Sequence, residues 1–272
     1  MARIITARII AAVFGVLAAT AALGAHDLLF RLDSYFVEPG STITVPVFNG
    51  TFVKSSNAVA RNRLADLSLV GPQGRQAVDR QHWTEVEPQS TATITVGGTG
   101  TYVLGAAVQP RMISMTASEF NDYLKEDGID QALADRTAKG KLNEPAKERY
   151  AKYVKALIQV GPTRTATFST LLGHQAEIVP VENPFAIAVG GTLAVRALVM
   201  GKPLARYALF ASGRAGESDI PVQRVETDAQ GIARIRITHA GAWYVKFIHM
   251  EEVTDGTATH ESRWATLSFA VR

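Results

Sequence analysis

Two stretches of the chain, 150 residues apart, repeat one pattern: Tyr35-Phe-Val-Glu-Pro-Gly40-Ser-Thr42-Ile-Thr-Val45 and Phe185-Ala-Ile-Ala-Val-Gly190-Gly-Thr192-Leu-Ala-Val195. In each stretch an aromatic residue precedes a glycine, and a threonine then opens an alternating apolar run. Alternation of period two predicts a half-buried strand, and glycine allows the positive φ that a turn requires. The repeat therefore predicts the same turn and strand in two related parts of the chain.

The repeat extends toward the end of each part. Gly100-Thr-Tyr102-Val-Leu104 corresponds to Gly241-Ala-Trp243-Tyr-Val245, and a turn containing glycine precedes each of them, at Gly71–Gly74 and Thr227–Gly231. Short alternating runs separated by such turns are typical of antiparallel sandwiches. The sequence predicts a mainly β protein with two immunoglobulin-like antiparallel β-sandwich modules and a helical insertion between them.

The insertion is expected where the spacing of apolar residues changes from every second residue to about every fourth. Thr116-Ala-Ser-Glu119 forms a capping box at the start of a helix that ends at Gly128, and a shorter helix is expected over residues 130–138. A third helix is expected after Glu144-Pro145, because proline suits the first helical turn. Its apolar stripe comprises Tyr150, Tyr153, Val154 and Leu157.

The N-terminal segment has the pattern of a removable secretory signal. Arg3 and Arg8 precede an apolar run of about 15 residues, which is shorter than the roughly 20 that span a bilayer, and Gly24-Ala25 follow. We therefore expect a signal peptide over 1–25, a first sandwich over 26–110, the helical insert with a return strand over 111–171, and a second sandwich over 172–272. The mature chain has no further segment that could span a membrane, so a periplasmic location is expected.

Composition excludes several function classes. The chain has no cysteine, so it has no disulfide, thiolate metal site or cysteine nucleophile. Removal of Arg3 and Arg8 leaves 26 basic against 25 acidic residues, with no basic stripe that would predict nucleic-acid binding. Nucleophile-elbow, zinc-protease, phosphate-loop and dinucleotide motifs are also absent, and we predict that the protein is not an enzyme.

His26 is the first candidate metal ligand. Cleavage after Ala25, the preferred register, makes it the first residue, so that one residue offers an α-amine and an imidazole to a transition metal. Cleavage after Gly24 would place it second. Cleavage after Leu23 would leave Gly24-Ala25-His26, a pattern that suits square-planar nickel or copper. The alternative interpretation is that His26 merely opens the first strand.

A second group of candidate ligands lies near the C-terminus. His249 ends an alternating strand, and His260-Glu261 open the returning strand. Imidazoles and a carboxylate at one hairpin mouth suit nickel, cobalt, copper or zinc. We therefore expect a metal site that combines His26, His249, His260 and Glu261. The alternative is a strand-end histidine beside a solvated loop.

An ordered set of motifs resembles a bacterial family of periplasmic proteins with a domain of unknown function, often labelled nickel-uptake-like. The motifs are His26-Asp27, Pro39-Gly40, residues 119–128, residues 148–155, residues 177–180 with Asn183-Pro184, Gly201-Lys-Pro203, and Trp243 with His249-Met250. The resemblance implies export, two β modules with a helical insert, and metal ligation by His26, His249 and Glu261. Leu29 departs from the family pattern, which usually has an aromatic residue there.

The sequence thus predicts an exported metal-binding protein that passes its ion to a membrane uptake system. A rival hypothesis is a non-catalytic module that binds a glycan or a protein through exposed aromatic residues such as Trp83 and Tyr207. A third is a copper oxidase whose ion is held by the terminal histidine.

Overall fold

The computed structural model describes residues 26–272. The predicted signal peptide, residues 1–25, lies outside the described residues. Within residues 26–272, eighteen strands and two α-helices make up the regular structure, with short 3-10 turns between them. The strands are β1 (Asp27–Phe30), β2 (Phe36–Val37), β3 (Thr42–Gly50), β4 (Leu64–Gly71), β5 (Gly74–Ala77), β6 (Trp83–Val86), β7 (Gln89–Thr95), β8 (Gly100–Val108), β9 (Arg111–Met115), β10 (Ala146–Val160), β11 (Ala176–Pro180), β12 (Thr192–Val199), β13 (Lys202–Pro203), β14 (Ala208–Ala215), β15 (Ser218–Glu226), β16 (Ile232–Arg236), β17 (Gly241–Glu252) and β18 (His260–Val271). The helices are α1 (Ala117–Glu126) and α2 (Asp130–Ala138).

Three sheets build the two sandwiches. A small sheet of order β1-β3-β7-β6 covers one half of a ten-stranded sheet, and a second small sheet with β11, β12, β13 and β16 covers the other half. The long sheet has the order β15-β14-β17-β18-β10-β8-β4-β5, and β2 and β9 also pair with β10. The predicted fold class is confirmed: the chain is mainly β, with immunoglobulin-like antiparallel sandwiches.

One parallel pairing joins the two halves of the long sheet. β10 and β18 run side by side from Glu148 opposite His260 to Ala156 opposite Ser268. Every other neighbour along the order of the long sheet is antiparallel. The two sandwiches therefore share a continuous sheet, and residues of β10 and β18 lie at the centre of the molecule.

The repeated sequence pattern occupies equivalent places in the two halves. Gly40 and Gly190 have φ of 78° and 89°, and each precedes a strand of a small sheet, β3 or β12. Gly100 and Gly241 open β8 and β17 of the long sheet. The apolar residues that alternate along these strands fill one core, which includes Val45, Leu104, Val195, Trp243 and Val245.

The helical insert matches the prediction only in its first part. α1 begins at the capping box of Thr116 and Glu119, and α2 covers residues 130–138 as expected. The predicted third helix is wrong, because residues 146–160 form β10. Residues 151–160 of β10 are all buried, since sheets or helices cover both faces of the strand. The apparent helical stripe was thus part of a strand that is buried on both sides.

The two helices cover the outer face of the long sheet near its centre. Phe120, Leu124 and Ile129 pack there on Met250 and Trp264, forming a second, smaller core. No helix within residues 26–272 is long and apolar enough to cross a membrane.

Candidate functional site

His26 directly precedes β1, the edge strand of the first small sheet. Asp27 pairs with Gly50 of β3, which fixes the start of the strand. The backbone carbonyl of His26 accepts a hydrogen bond from Lys152 Nζ, which also donates to Asn49 Oδ1 at 2.9 Å. Lys152 belongs to β10, so the first described residue is fastened to the central sheet.

The His26 side chain is partly buried. Burial, and then the positive charge of Lys152, lower the pKa of its imidazole, whereas Asp27 acts in the opposite direction. The neutral imidazole is the form that binds a metal ion. The described surroundings of His26 thus favour a ring that carries a free lone pair near neutral pH.

Asp27 and Asp127 share one ammonium group. Asp27 Oδ2 lies 2.8 Å from Lys246 Nζ, and Asp127 Oδ1 lies 3.7 Å from the same nitrogen. Burial raises the pKa of Asp127 to about 7, and the nearby Lys246 only partly opposes this. We call His26, Asp27, Asp127, Lys152 and Lys246 the terminal cluster.

Lys152 is buried, and it is the least hydrated cation of the terminal cluster. Its ammonium nitrogen lies 5.2 Å from the centroid of the Trp264 ring and 5.7 Å from that of Tyr150. Burial lowers the pKa of Lys152 to about 8, although Asp27 raises it. Hydrogen bonds to His26 and Asn49 direct this charge toward backbone and amide oxygens.

The candidate ligands of the β17–β18 hairpin do not all lie on one face of the sheet. In the β17–β18 hairpin, Glu252 is opposite His260, whereas His249 is opposite Arg263. Residues 249 and 252 differ by an odd number of positions, so their side chains point to opposite faces. His249 and His260 therefore cannot bind one ion without rearrangement of the hairpin.

His260 is held in the core beneath the helices. Its ring lies 4.6 Å from the ring of Phe120, and Nδ1 is 2.9 Å from the Thr259 hydroxyl oxygen. Burial and the neighbouring Arg136 lower the pKa of His260 to about 4. On the same face Glu252 pairs with Lys139 and Lys141. These contacts indicate a packed histidine rather than an exposed ligand.

His249 and Glu261 lie on the opposite face from His260. The His249 ring lies 5.7 Å from that of Tyr207, and its buried Nδ1 has no hydrogen-bond partner among the described residues. Glu261 pairs with both Arg149 and Arg263. Two arginines therefore compete with any metal ion for the Glu261 carboxylate.

The expected shared metal site is not assembled. Within residues 26–272, no group of three or more His, Asp or Glu side chains lies close enough to hold a metal ion. His26, His249, His260 and Glu261 are therefore not brought together in this arrangement. Of the four, His26 alone lies at the terminal cluster.

The sequence prediction missed Asp127, Lys152 and Lys246 as neighbours of the terminus. Asp127 ends α1, where an acidic residue beside Gly128 is ordinarily solvated. Lys152 lies in the segment assigned to a helix, and Lys246 lies in a strand whose partners were unknown. The pairing of β10, β17 and β18 brings the two lysines to β1, and Asp127 reaches Lys246 from the end of α1.

Two aromatic residues expected on the surface are held by hydrogen bonds. Trp83 is fully buried, and its indole nitrogen donates to the Val59 carbonyl at 2.8 Å. The Tyr207 hydroxyl donates to the Ile248 carbonyl at 2.8 Å. Trp83 therefore cannot contribute to a glycan-binding surface, contrary to the sequence-based hypothesis.

Comparison with known families identifies the chain at the level of a domain. The model of DUF4198, a domain of unknown function, matches residues 23–251, which include the terminal cluster and the two helices. The chain belongs to the DUF4198 family. No curated protein matches this DUF4198 chain.

Solved structures similar to the DUF4198 chain share little sequence with it. The D0-D1 domain of intimin is 13% identical over 90% of this chain and 97% of that chain, with a TM-score of 0.21. Trypsin-activated alpha-2-macroglobulin from Escherichia coli is 11% identical over 92% of this chain and 16% of that chain, with a TM-score of 0.23. A DUF4785 family protein from Legionella pneumophila is 12% identical over 78% of this chain and 49% of that chain, with a TM-score of 0.23. None of these similarities bears on function.

Proposed function

We propose that this DUF4198 protein is exported to the periplasm and binds a divalent transition metal (nickel, cobalt, copper or zinc) through His26 at its mature terminus. It would then pass the ion to a membrane uptake system. The observation that carries the proposal is the anchoring of His26: Lys152 holds its carbonyl, and β1 holds the next residue. The imidazole stays partly exposed, and burial favours its neutral form.

One residue at the terminus can supply two ligands. After cleavage behind Ala25, the α-amine and the imidazole of His26 close a chelate ring on one ion, which requires no second histidine. This matters because His249 and His260 lie on opposite faces of their hairpin and do not form one site with His26. The remaining coordination sites would be filled by water or by a partner.

Incomplete coordination suits transfer better than storage. Structural metal sites enclose their ion with four protein ligands, whereas open sites exchange ligands. An ion that is held by two protein nitrogens keeps open coordination positions, to which ligands of a receiving protein can bind. The proposal therefore predicts moderate affinity and rapid exchange of the ion.

Native mass spectrometry of the exported protein tests this proposal. The expected result is a chain that begins at His26 and carries one divalent ion, and His26→Ala should lose the ion. His82→Ala, a change in an exposed 3-10 turn, is the matched control and should retain it. A different first residue, or ion retention by His26→Ala, would contradict the proposal.

A non-catalytic binding module remains the second candidate, because one surface groove favours it. A groove of about 400 Å³ lies along β11, with Leu171, Val181 and Pro203 in its wall. The first two side chains are 56% and 47% exposed. Binding of a protein or glycan that survives a chelator and is lost in Val181→Asp would favour this candidate.

A further inference from the structure

Half of the Asp27 carboxylate lacks a partner. Oδ2 pairs with Lys246, but the buried Oδ1 accepts no hydrogen bond from any residue of the described chain. The side chain is only 9% exposed. Buried carboxylate oxygens are nearly always hydrogen-bonded, because an unpaired one loses its hydration without compensation. Asp27 Oδ1 therefore marks a place where a donor is missing.

Asp127 adds a second incompletely paired carboxylate nearby. Its closest cation, Lys246 Nζ, lies 3.7 Å away, beyond hydrogen-bond distance, and its side chain is 10% exposed. Asp127 also caps the C-terminus of α1. The helix dipole places partial negative charge there, which disfavours a carboxylate. Lys246 therefore satisfies one carboxylate and leaves the other in need of a cation.

We propose that Asp27 and Asp127 form the docking site for the chain's own α-ammonium group, which is created when the signal peptide is removed in front of His26. The nitrogen belongs to the residue that adjoins Asp27, so its attachment point lies one peptide unit, about 3.8 Å between Cα atoms, from that of the carboxylate. An ammonium brings three N–H donors and a positive charge. In the uncut chain the same nitrogen is a neutral amide with one N–H.

Removal of the signal thus stabilises the folded protein at this site. The uncut chain buries Asp27 Oδ1 without a donor, and the mature chain supplies one. The effect requires the cut after Ala25 that the proposed function also assumes, but it requires no metal ion. The docked ammonium is the metal-free form of the terminus, because a metal ion must displace a proton before it binds the same nitrogen. Docking is therefore measured without metal, and the two proposals can fail separately.

A double-mutant cycle on thermal unfolding in the presence of EDTA tests the docking. The four proteins are the chain that begins at His26 and the chain that retains Ala25, each with Asp127 or with Asp127→Asn. In the Asp127 background we expect the His26 chain to unfold about 2–4 °C higher, the shift that corresponds to about 1 kcal/mol in a protein of this size. In the Asp127→Asn background the difference should shrink by at least half.

Asp122→Asn is the matched control. Asp122 lies on α1 and is 57% exposed, so the difference between the two chains should remain complete in this variant. Acetylation of the α-amine of the His26 chain provides a second measurement that changes no side chain, and it should remove the advantage. Equal unfolding temperatures for the two chains, or a difference that Asp127→Asn does not reduce, would overturn the docking proposal. Metal binding is measured separately, in the absence of chelator, by comparing His26→Ala with the wild type.

Discussion

His249 and His260 belong to the same hairpin but lie on opposite faces of the long sheet. His249 is opposite Arg263 and belongs to the face of Trp243 and Phe247, which is covered by the second small sheet. His260 is opposite Glu252 and packs beneath α1. Although His249 and His260 are close in the sequence, they therefore do not share a site. Of the predicted ligands, His26 is the one that lies in the terminal cluster.

The buried His260 predicts that acid destabilises the protein. The pKa of His260 is about 4 in the folded state and about 6.5 when exposed. Between these values the unfolded chain binds more protons, so stability falls as the pH drops from 6.5 toward 4. The contribution of this group between pH 7 and 4.5 is about 2–3 kcal/mol.

Urea unfolding at pH 7 and pH 4.5 measures this contribution. His260→Gln should lose less stability than the wild type on acidification, because glutamine cannot take up a proton. His82→Gln, a change at an exposed position, should behave as the wild type does. An unchanged acid sensitivity in His260→Gln would show that other groups carry the effect.

Glu177 fastens the second sandwich to the central strand of the long sheet. It pairs with the buried Lys155 of β10 and accepts hydrogen bonds from the backbone N–H groups of Leu172, Gly173 and His174 at 2.9–3.0 Å. Glu177→Gln leaves the Lys155 charge buried and unpaired, which should cost about 3–5 kcal/mol. The measurement is the free energy of unfolding in urea.

Two comparisons separate the ion pair from general effects of the substitution. Glu217→Gln, at an exposed turn position, should change the free energy by less than about 0.5 kcal/mol. The double variant Lys155→Met with Glu177→Gln should recover part of the loss, because no buried charge remains. If the double variant is no more stable than Glu177→Gln, the buried charge is not the cause.

The capping box at Thr116 sets the stability of α1. The Thr116 hydroxyl accepts from the Glu119 N–H, and the Glu119 carboxylate accepts from the Thr116 N–H at 2.8 Å. Thr116→Ala should cost about 1 kcal/mol. Hydrogen exchange should accelerate in the first turn of α1, whereas Ser118→Ala, two residues later and exposed, should leave exchange nearly unchanged. Equal exchange in both variants would contradict the assigned cap.

Local signals predicted much of the fold. The capping box located α1, and the repeated glycine turns located β3 and β12 on the small sheets. The prediction failed at β10, which was assigned to a helix, and Lys152 and Lys155 lie between the residues of its supposed apolar stripe. Both lysines are in fact buried with oxygen partners from distant segments. Their surroundings are formed by segments that are distant in the sequence, and the local spacing of apolar residues does not reveal such contacts.

The candidate site was harder to predict than the fold. The adjacency of His26 and Asp27 was visible in the sequence. Whether His249 and His260 point to the same face of the sheet, however, depends on the register of the hairpin. The contact of Asp27 with Lys246 depends on β1 crossing beside β18, where Thr266 and Ser268 donate to the Leu28 and Phe30 carbonyls. Such side-chain contacts between strands have no sequence signature.

In the proposed function His26, by itself, anchors the metal ion. Calorimetric titration of nickel, copper, cobalt and zinc into the chain that begins at His26 tests it most directly, with His26→Ala and the double variant His249→Ala, His260→Ala as partners. We expect His26→Ala to lose at least tenfold in affinity for the metal that binds best, and the folded double variant to keep the wild-type affinity. Undiminished affinity in His26→Ala, or a loss confined to the double variant, would contradict it.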